Sequence, residues 1–127
     1  MKPSDVLEQW IEHLNQGQIH EAAAMYAEHA TLCPTFSARM LKTPADRLHY
    51  FELLAQKPNL SVSQHARSQH VYEHNESMAT LSGIYTFKFD VDDTPLTFEA
   101  RYTFVVDTGQ SAPILHHHSS QIPRGMV

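Results

Sequence analysis

The sequence predicts an α+β fold in which N-terminal helices lie across one face of a strongly curved, mostly antiparallel sheet. Three observations carry that expectation. Apolar residues recur at helical spacing through the first half of the chain. From Leu60 onward the texture changes to β-branched and aromatic residues that alternate with polar ones. The strands read this way are long for so few helices, so the sheet must curl over them, and its concave side is where a pocket would sit.

The elements follow in order. Ser4 is placed to cap a first helix whose apolar positions Val6, Leu7, Trp10, Ile11 and Leu14 share a face. Gly17 then occupies the position a helix C-terminus prefers. A second helix is read from Ile19 to about Ala27, its alanines allowing close approach to the first. Thr31-Leu32-Cys33-Pro34 is a short extended piece ended by proline. Thr43-Pro44 is a strong helix start, a capping hydroxyl followed by proline at the first helical position. That third helix runs to about Gln56, turns Leu48, Phe51, Leu54 and Ala55 towards the core, and stops at Lys57-Pro58. Four strands are then read at roughly 61–74, 77–90, 96–107 and 112–121. The breaks between them are rich in Asp, Asn, Gly and Pro, the residues of tight turns. There is no internal repeat and no linker, so residues 1–127 read as a single domain.

Composition excludes several classes of function. Apolar residues make up 42% and charged residues 18% of the 127, ordinary values for a folded chain. The net charge of −5, with nine scattered Lys and Arg, argues against nucleic acid as a partner. No run approaches the ~20 apolar residues of a spanning helix, so no membrane partner is expected. No secretory leader is evident behind Met1, and the one cysteine, Cys33, has no intramolecular disulfide partner. A cytoplasmic protein is expected. The run from His116 to Gly125 has the look of an expression-tag remnant, but it continues directly from Ile114-Leu115 and is read as native.

Three motifs in order resemble a known family. They are Tyr50-Phe51-Glu52-Leu53-Leu54 followed by Lys57-Pro58, then Ala100-Arg101-Tyr102-Thr103-Phe104-Val105, then Ile114-Leu115-His116-His117-His118-Ser119-Ser120. With the element order, they resemble the association domain of calcium/calmodulin-dependent protein kinase II, within the nuclear transport factor 2-like, SnoaL-like superfamily. The resemblance extends from Val6 to Pro123. It implies a conical barrel of the cystatin-like roll type, self-association as a homodimer or larger ring through the outer sheet face, and a polar pocket in the cone. The arginines that line the pocket in the kinase hub fall near Tyr85, Phe104 and Ser119 here, none of them basic, and a pocket histidine falls near Arg47. Carboxylate binding of the hub type is therefore not carried over. Kinase chemistry is excluded, because there is no Gly-rich loop and no lysine-bearing strand for it.

Seven residues are candidates for a small-molecule site: Arg47, Tyr50, Tyr85, Arg101, Tyr102, His116 and His118. On a strand, His116 and His118 share a face and His117 points the other way. The pair at i and i+2 is a possible metal edge, but no third ligand stands at telling spacing, and the favoured reading is hydrogen-bonded residues at an interface or pocket rim. Arg101 must face water, a carboxylate or a filled cavity, since burying an unpaired guanidinium is prohibitive. Arg47 and Tyr50, three apart on one helix, pose a choice between a cavity mouth and solvent. Tyr85 and Tyr102 suit a cavity wall, and more often such residues are simply core with the hydroxyl reaching the edge. Cys33 has no basic partner, and Asp90, Asp92 and Asp93 read as a solvated hairpin tip. No metal and no cofactor is expected.

Two functions stay open. One is a non-catalytic, self-associating domain with a small polar or anionic ligand in its cone. The other is a small isomerase, cyclase or hydratase of the SnoaL or ketosteroid isomerase kind, with His116 or His118 as base and Tyr85 or Tyr102 as donor.

Overall fold

In the computed structural model, which describes residues 1–126, α1 spans Pro3–Asn15, α2 Ile19–Ala24 and α3 Pro44–Ala55. The strands are β1 (Tyr26–Cys33), β2 (Ser61–Gln64), β3 (His70–Glu73), β4 (Met78–Val91), β5 (Thr94–Asp107) and β6 (Ile114–Gln121). They form one curled, unclosed sheet in the order β1-β6-β5-β4-β2, with β3 also paired to β4. All pairings are antiparallel except β1 with β6. This is the α+β architecture of helices on a curved sheet.

The starts of α1 and α3 have local causes. Pro3 takes the first position of α1, and the Asp5 carboxylate accepts the Lys2 amide at 2.8 Å. The cap is thus made by Asp5, with Ser4 already inside the helix, because proline is preset for the first turn. Gly17, at φ 72°, closes the C-terminus as expected. In α3 the Thr43 side chain accepts the Asp46 amide at 3.1 Å. Val6, Leu7, Trp10 and Leu14 of α1 and Phe51 and Leu54 of α3 are buried against the concave sheet face.

Two boundaries depart from the sequence reading. The second helix ends at Ala24 rather than Ala27, because Tyr26 is drawn into β1 beside Ile114, whose amide bonds the Met25 carbonyl at 2.9 Å. The strand expected over 61–74 is two, split by a 3₁₀ turn at Ala66–Ser68. Gln64 pairs with Tyr85 and His70 with Ser82, so six steps along one chain answer three along the other. The surplus loops out opposite Gly83 and is pinned by Ser68 Oγ, which accepts the Ile84 amide at 2.8 Å and donates to the His65 carbonyl at 2.7 Å.

The β4–β5 connection is a two-residue hairpin turn with Asp92 and Asp93 at φ 50° and 63°. The bulge between Val105 and Val106 sets the facing of β6: Ile114, His117 and Ser119 are buried, while His116 and His118 pair with Val105 and Thr103 on the outer side.

Candidate functional site

The interior of the cone is built from the inward-facing residues of β4, β5 and β6 and the tops of α1 and α3. Its centre is His117, 2% exposed. The Tyr26 hydroxyl lies 2.7 Å from His117 Nδ1 and the Tyr85 hydroxyl 3.0 Å from Nε2. The imidazole stacks on Phe104 with centroids 3.8 Å apart and meets the edge of Trp10 at 5.1 Å. Tyr85 in turn stacks on Trp10 at 5.7 Å. Burial, reinforced by His116 and His118, holds the His117 pKa well below its ordinary value, so the ring is neutral and has one N–H to give. Burial also raises Tyr26 and Tyr85 far above the usual phenol range.

The Tyr85 hydroxyl also faces the hydroxyls of Ser119 and Thr35, which are hydrogen-bonded to each other. Around this group, between Tyr50, Leu54, Phe87 and Pro34, lies a cavity of only about 10 Å³. Tyr50 and Leu54 form its outer wall and also line a second, open space of about 750 Å³ between α3, the Phe36–Leu41 segment and the β4–β5 hairpin. Phe36 lines the outer space only. Its ring is wedged edge-to-face against Phe87, Phe89 and Phe98, each at 5.3 Å.

The seven residues singled out in the sequence do not form one site. Tyr50 and Tyr85 meet at the inner cavity. Tyr102 is inward but further along the sheet, with its ring 4.8 Å from that of Tyr85 and its hydroxyl over Gly83. Arg47 is in neither solvent nor the cavity mouth. It is 1% exposed, and its guanidinium donates to the carbonyls of Ala30 (2.7 Å), Ala27 (2.8 Å) and Glu28 (3.1 Å). Desolvation lowers its pKa, and the Tyr26 ring lies 5.7 Å away.

Strand alternation turns Arg101, His116 and His118 to the convex face, which for Arg101 selects the outer-face alternative and for the histidines the interface alternative over the cone wall. There His116 Nδ1 lies 2.6 Å from Thr31 Oγ1, and Arg101 is exposed. No cluster of three metal-ligating side chains occurs among the described residues. Sequence reasoning missed His117, Tyr26, Trp10 and Thr35. His117 was legible by parity, since it was read as opposite to its neighbours; Tyr26 was hidden in a helix that ends before it.

No curated protein matches the chain significantly. Among solved structures, a protein from Xanthomonas campestris described as a calcium/calmodulin dependent protein kinase II association domain superposes with TM-score 0.85 and 26% identity. That match covers 96% of this chain and 86% of the other. A protein of Novosphingobium aromaticivorans named for scytalone dehydratase gives 0.80 at 10% identity, covering 94% and 81% of the two chains. An NTF2-like protein with a cystatin-like fold from the same organism gives 0.75 at 8% identity, covering 96% and 80%. The last two establish the fold alone, which is the cystatin-like roll. The sequence profile of the calcium/calmodulin dependent protein kinase II association domain matches residues 4–123, nearly the whole chain. The chain belongs to the calcium/calmodulin dependent protein kinase II association domain family.

Proposed function

We propose that this domain associates with further copies of itself through the convex face of its sheet and holds a small polar ligand in its cone. The observation that carries this reading is the character of the convex face. Helices cover only the concave side of the sheet. At the centre of the other side stand Thr80, Ser82, Ile84, Thr103, Val105 and His116, all half-buried and none of fixed charge. The exposed charges Lys88, Glu99 and Arg101 gather towards one end of the same face. A neutral centre with a charged rim is the usual anatomy of a protein interface. Membership of an association-domain family supports the same reading.

The test is the native mass by light scattering, with Val105→Glu as the disrupting variant. The wild-type chain is expected at a multiple of 14.5 kDa and the variant at the monomer mass, with unchanged circular dichroism. A monomeric wild type at tens of micromolar would sink the proposal.

The enzymatic reading survives only with a different base. His116 and His118 face away from the cone, and the histidine inside it, His117, already has both ring nitrogens engaged.

A further inference from the structure

Five of the chain's ten histidines stand on the convex face of the sheet. His116 and His118 of β6 are turned outward opposite Val105 and Thr103 of β5. On the far side of β4, His70 pairs with Ser82. His65, just past the end of β2, donates its amide to the Ile84 carbonyl at 2.9 Å and brings its ring to Thr86 Oγ1 at 2.7 Å. His74 reaches Thr80 Oγ1 at 2.7 Å. Thr80, Ser82, Ile84 and Thr86 are the outward residues of β4, since Ala79, Leu81, Tyr85 and Phe87 point into the core. The five imidazoles therefore flank the central strands β4 and β5 from both sides. Three of them are held to the sheet by a threonine hydroxyl, His65 and His74 as above and His116 by Thr31 at 2.6 Å. Those rings are part of the face and do not swing clear of whatever covers it.

Nothing nearby would neutralise them once protonated. Among the described residues the one ion pair within 4 Å joins Arg39 to Asp46, on the other side of the molecule's sheet, so none of the five rings has a carboxylate partner. His116 and His118 face Thr31 and Cys33 of β1 and Val105 and Thr103 of β5. Glu28 and His29 lie further back on β1, in its irregular part, and Arg101 is the next outward residue of β5. His65, His70 and His74 face β4 and the exposed Tyr72, with Arg67 and Glu73 beside them in the chain. Of the fixed charges on β4 and β5, Lys88, Glu99 and Arg101 gather at one end. Asp107 sits at the other, where it accepts the Gly109 amide of its own turn at 2.9 Å. His116 already shows the consequence within one copy: burial and its neighbour His118 lower its pKa.

We propose that self-association through this face is switched by pH, the copies joining while the five imidazoles are neutral and parting when acid charges them. Imidazole is the side chain whose ordinary charge change falls between about pH 5 and 8. A symmetric pairing brings the same face of two copies together, so every charge gained is gained twice and loses water against its like. The free chain then binds protons that the assembly refuses, and association weakens as pH falls, by up to about tenfold per pH unit for each proton refused. The inference rests on the self-association reading above and names its regulation.

The experiment is the mass of the full chain by light scattering from about pH 8 down to about pH 5.5 at fixed ionic strength, with circular dichroism on the same samples. The wild type is expected as the assembly at the upper end and as folded monomer at the lower, its dissociation constant rising by roughly a hundredfold or more. His116→Gln with His118→Gln, and separately His65→Gln with His70→Gln and His74→Gln, should each remove part of that rise. All five together should remove most of it and keep the assembly at the upper end; the two partial sets carry the test should the full set weaken it. His117 is intact in every variant, so dissociation caused by the core histidine would persist in the all-glutamine chain. A chain monomeric at every pH would remove the self-association reading and this one with it. An assembly of unchanged mass at both ends would overturn the switch alone. So would dissociation that tracks a loss of circular dichroism, or that persists undiminished in the all-glutamine chain.

Discussion

Gly83 shows how much one missing methyl group can matter. A β-carbon built there would stand 2.6 Å from the Tyr102 hydroxyl, 2.9 Å from Tyr102 Cζ and 3.0 Å from Ser68 Oγ. The close approach has two sources: Tyr102 pairs directly across from Gly83, and the surplus loop of Ala66–Ser68 folds over the same point. A glycine inside a strand commonly marks such a crowded crossing. Gly83→Ala must push aside a buried ring and a serine that holds two backbone groups, so it is expected to destabilise the chain by about 1–3 kcal/mol. Adding Tyr102→Phe removes the nearest atom but leaves Cζ, so the double variant should recover part of the loss and no more. Urea unfolding of the four chains of that cycle checks it, and additive losses would mean that the contact is not the cause.

At the scale of elements, Arg47 ties α3 to β1. The residues from Ala27 to Ala30 lie where β1 shifts register against β6 between Tyr26 and Thr31, so their carbonyls lack regular ladder partners there. The guanidinium supplies three donors from one rigid fork. Arg47→Met keeps the bulk and strands the carbonyls, and is expected to cost about 2–4 kcal/mol. Arg47→Lys, with one compact ammonium, should recover only part of that. Hydrogen exchange offers the local readout: β1 amides should lose protection before those of β4. Uniform loss across the sheet would contradict the clamp.

The same region shows what the sequence could and could not convey. The Thr43-Pro44 start and the alternation of β4 to β6 are local signals, so α3 and the long strands were legible. The strand identity of Tyr26–Ala30 depends on β6, more than eighty residues away, and no local pattern encodes it. Arg47 was misjudged for the same reason, since its acceptors are backbone atoms that the side-chain pattern does not show. The inward turn of His117 was readable by parity, but its two tyrosine partners come from separate strands that only the fold brings together.

For the whole molecule, the buried titrating groups set a pH window for stability. On the acid side, His117 and His116 both have folded-state pKa values below the ordinary 6.5 because they are desolvated. The unfolded chain therefore binds protons that the folded chain refuses. Their contribution is fully present above about pH 6.5 and is lost as pH falls towards the folded values, by up to about 1.4 kcal/mol per pH unit for the fully buried His117 and by less for the partly solvated His116. On the alkaline side, Tyr26, Tyr50, Tyr85 and Tyr102 are all raised above the ordinary 10 by burial. There the unfolded chain releases protons that the folded chain keeps, so stability present below about pH 10 falls as pH rises beyond it. Unfolding free energies measured across pH should thus show a plateau between these limits and slopes of opposite sign outside it. His117→Gln keeps a hydrogen-bonding side chain without a group that titrates near neutrality, and should flatten most of the acid slope. In a Tyr72→Phe background, which removes the exposed fifth tyrosine, tyrosinate absorbance should rise together with the loss of secondary structure rather than ahead of it. Ionisation of the four buried tyrosines in a chain that stays folded would mean that the cone admits water, and with it that the hydrogen bonds of Tyr26 and Tyr85 to His117 are open to solvent rather than sealed.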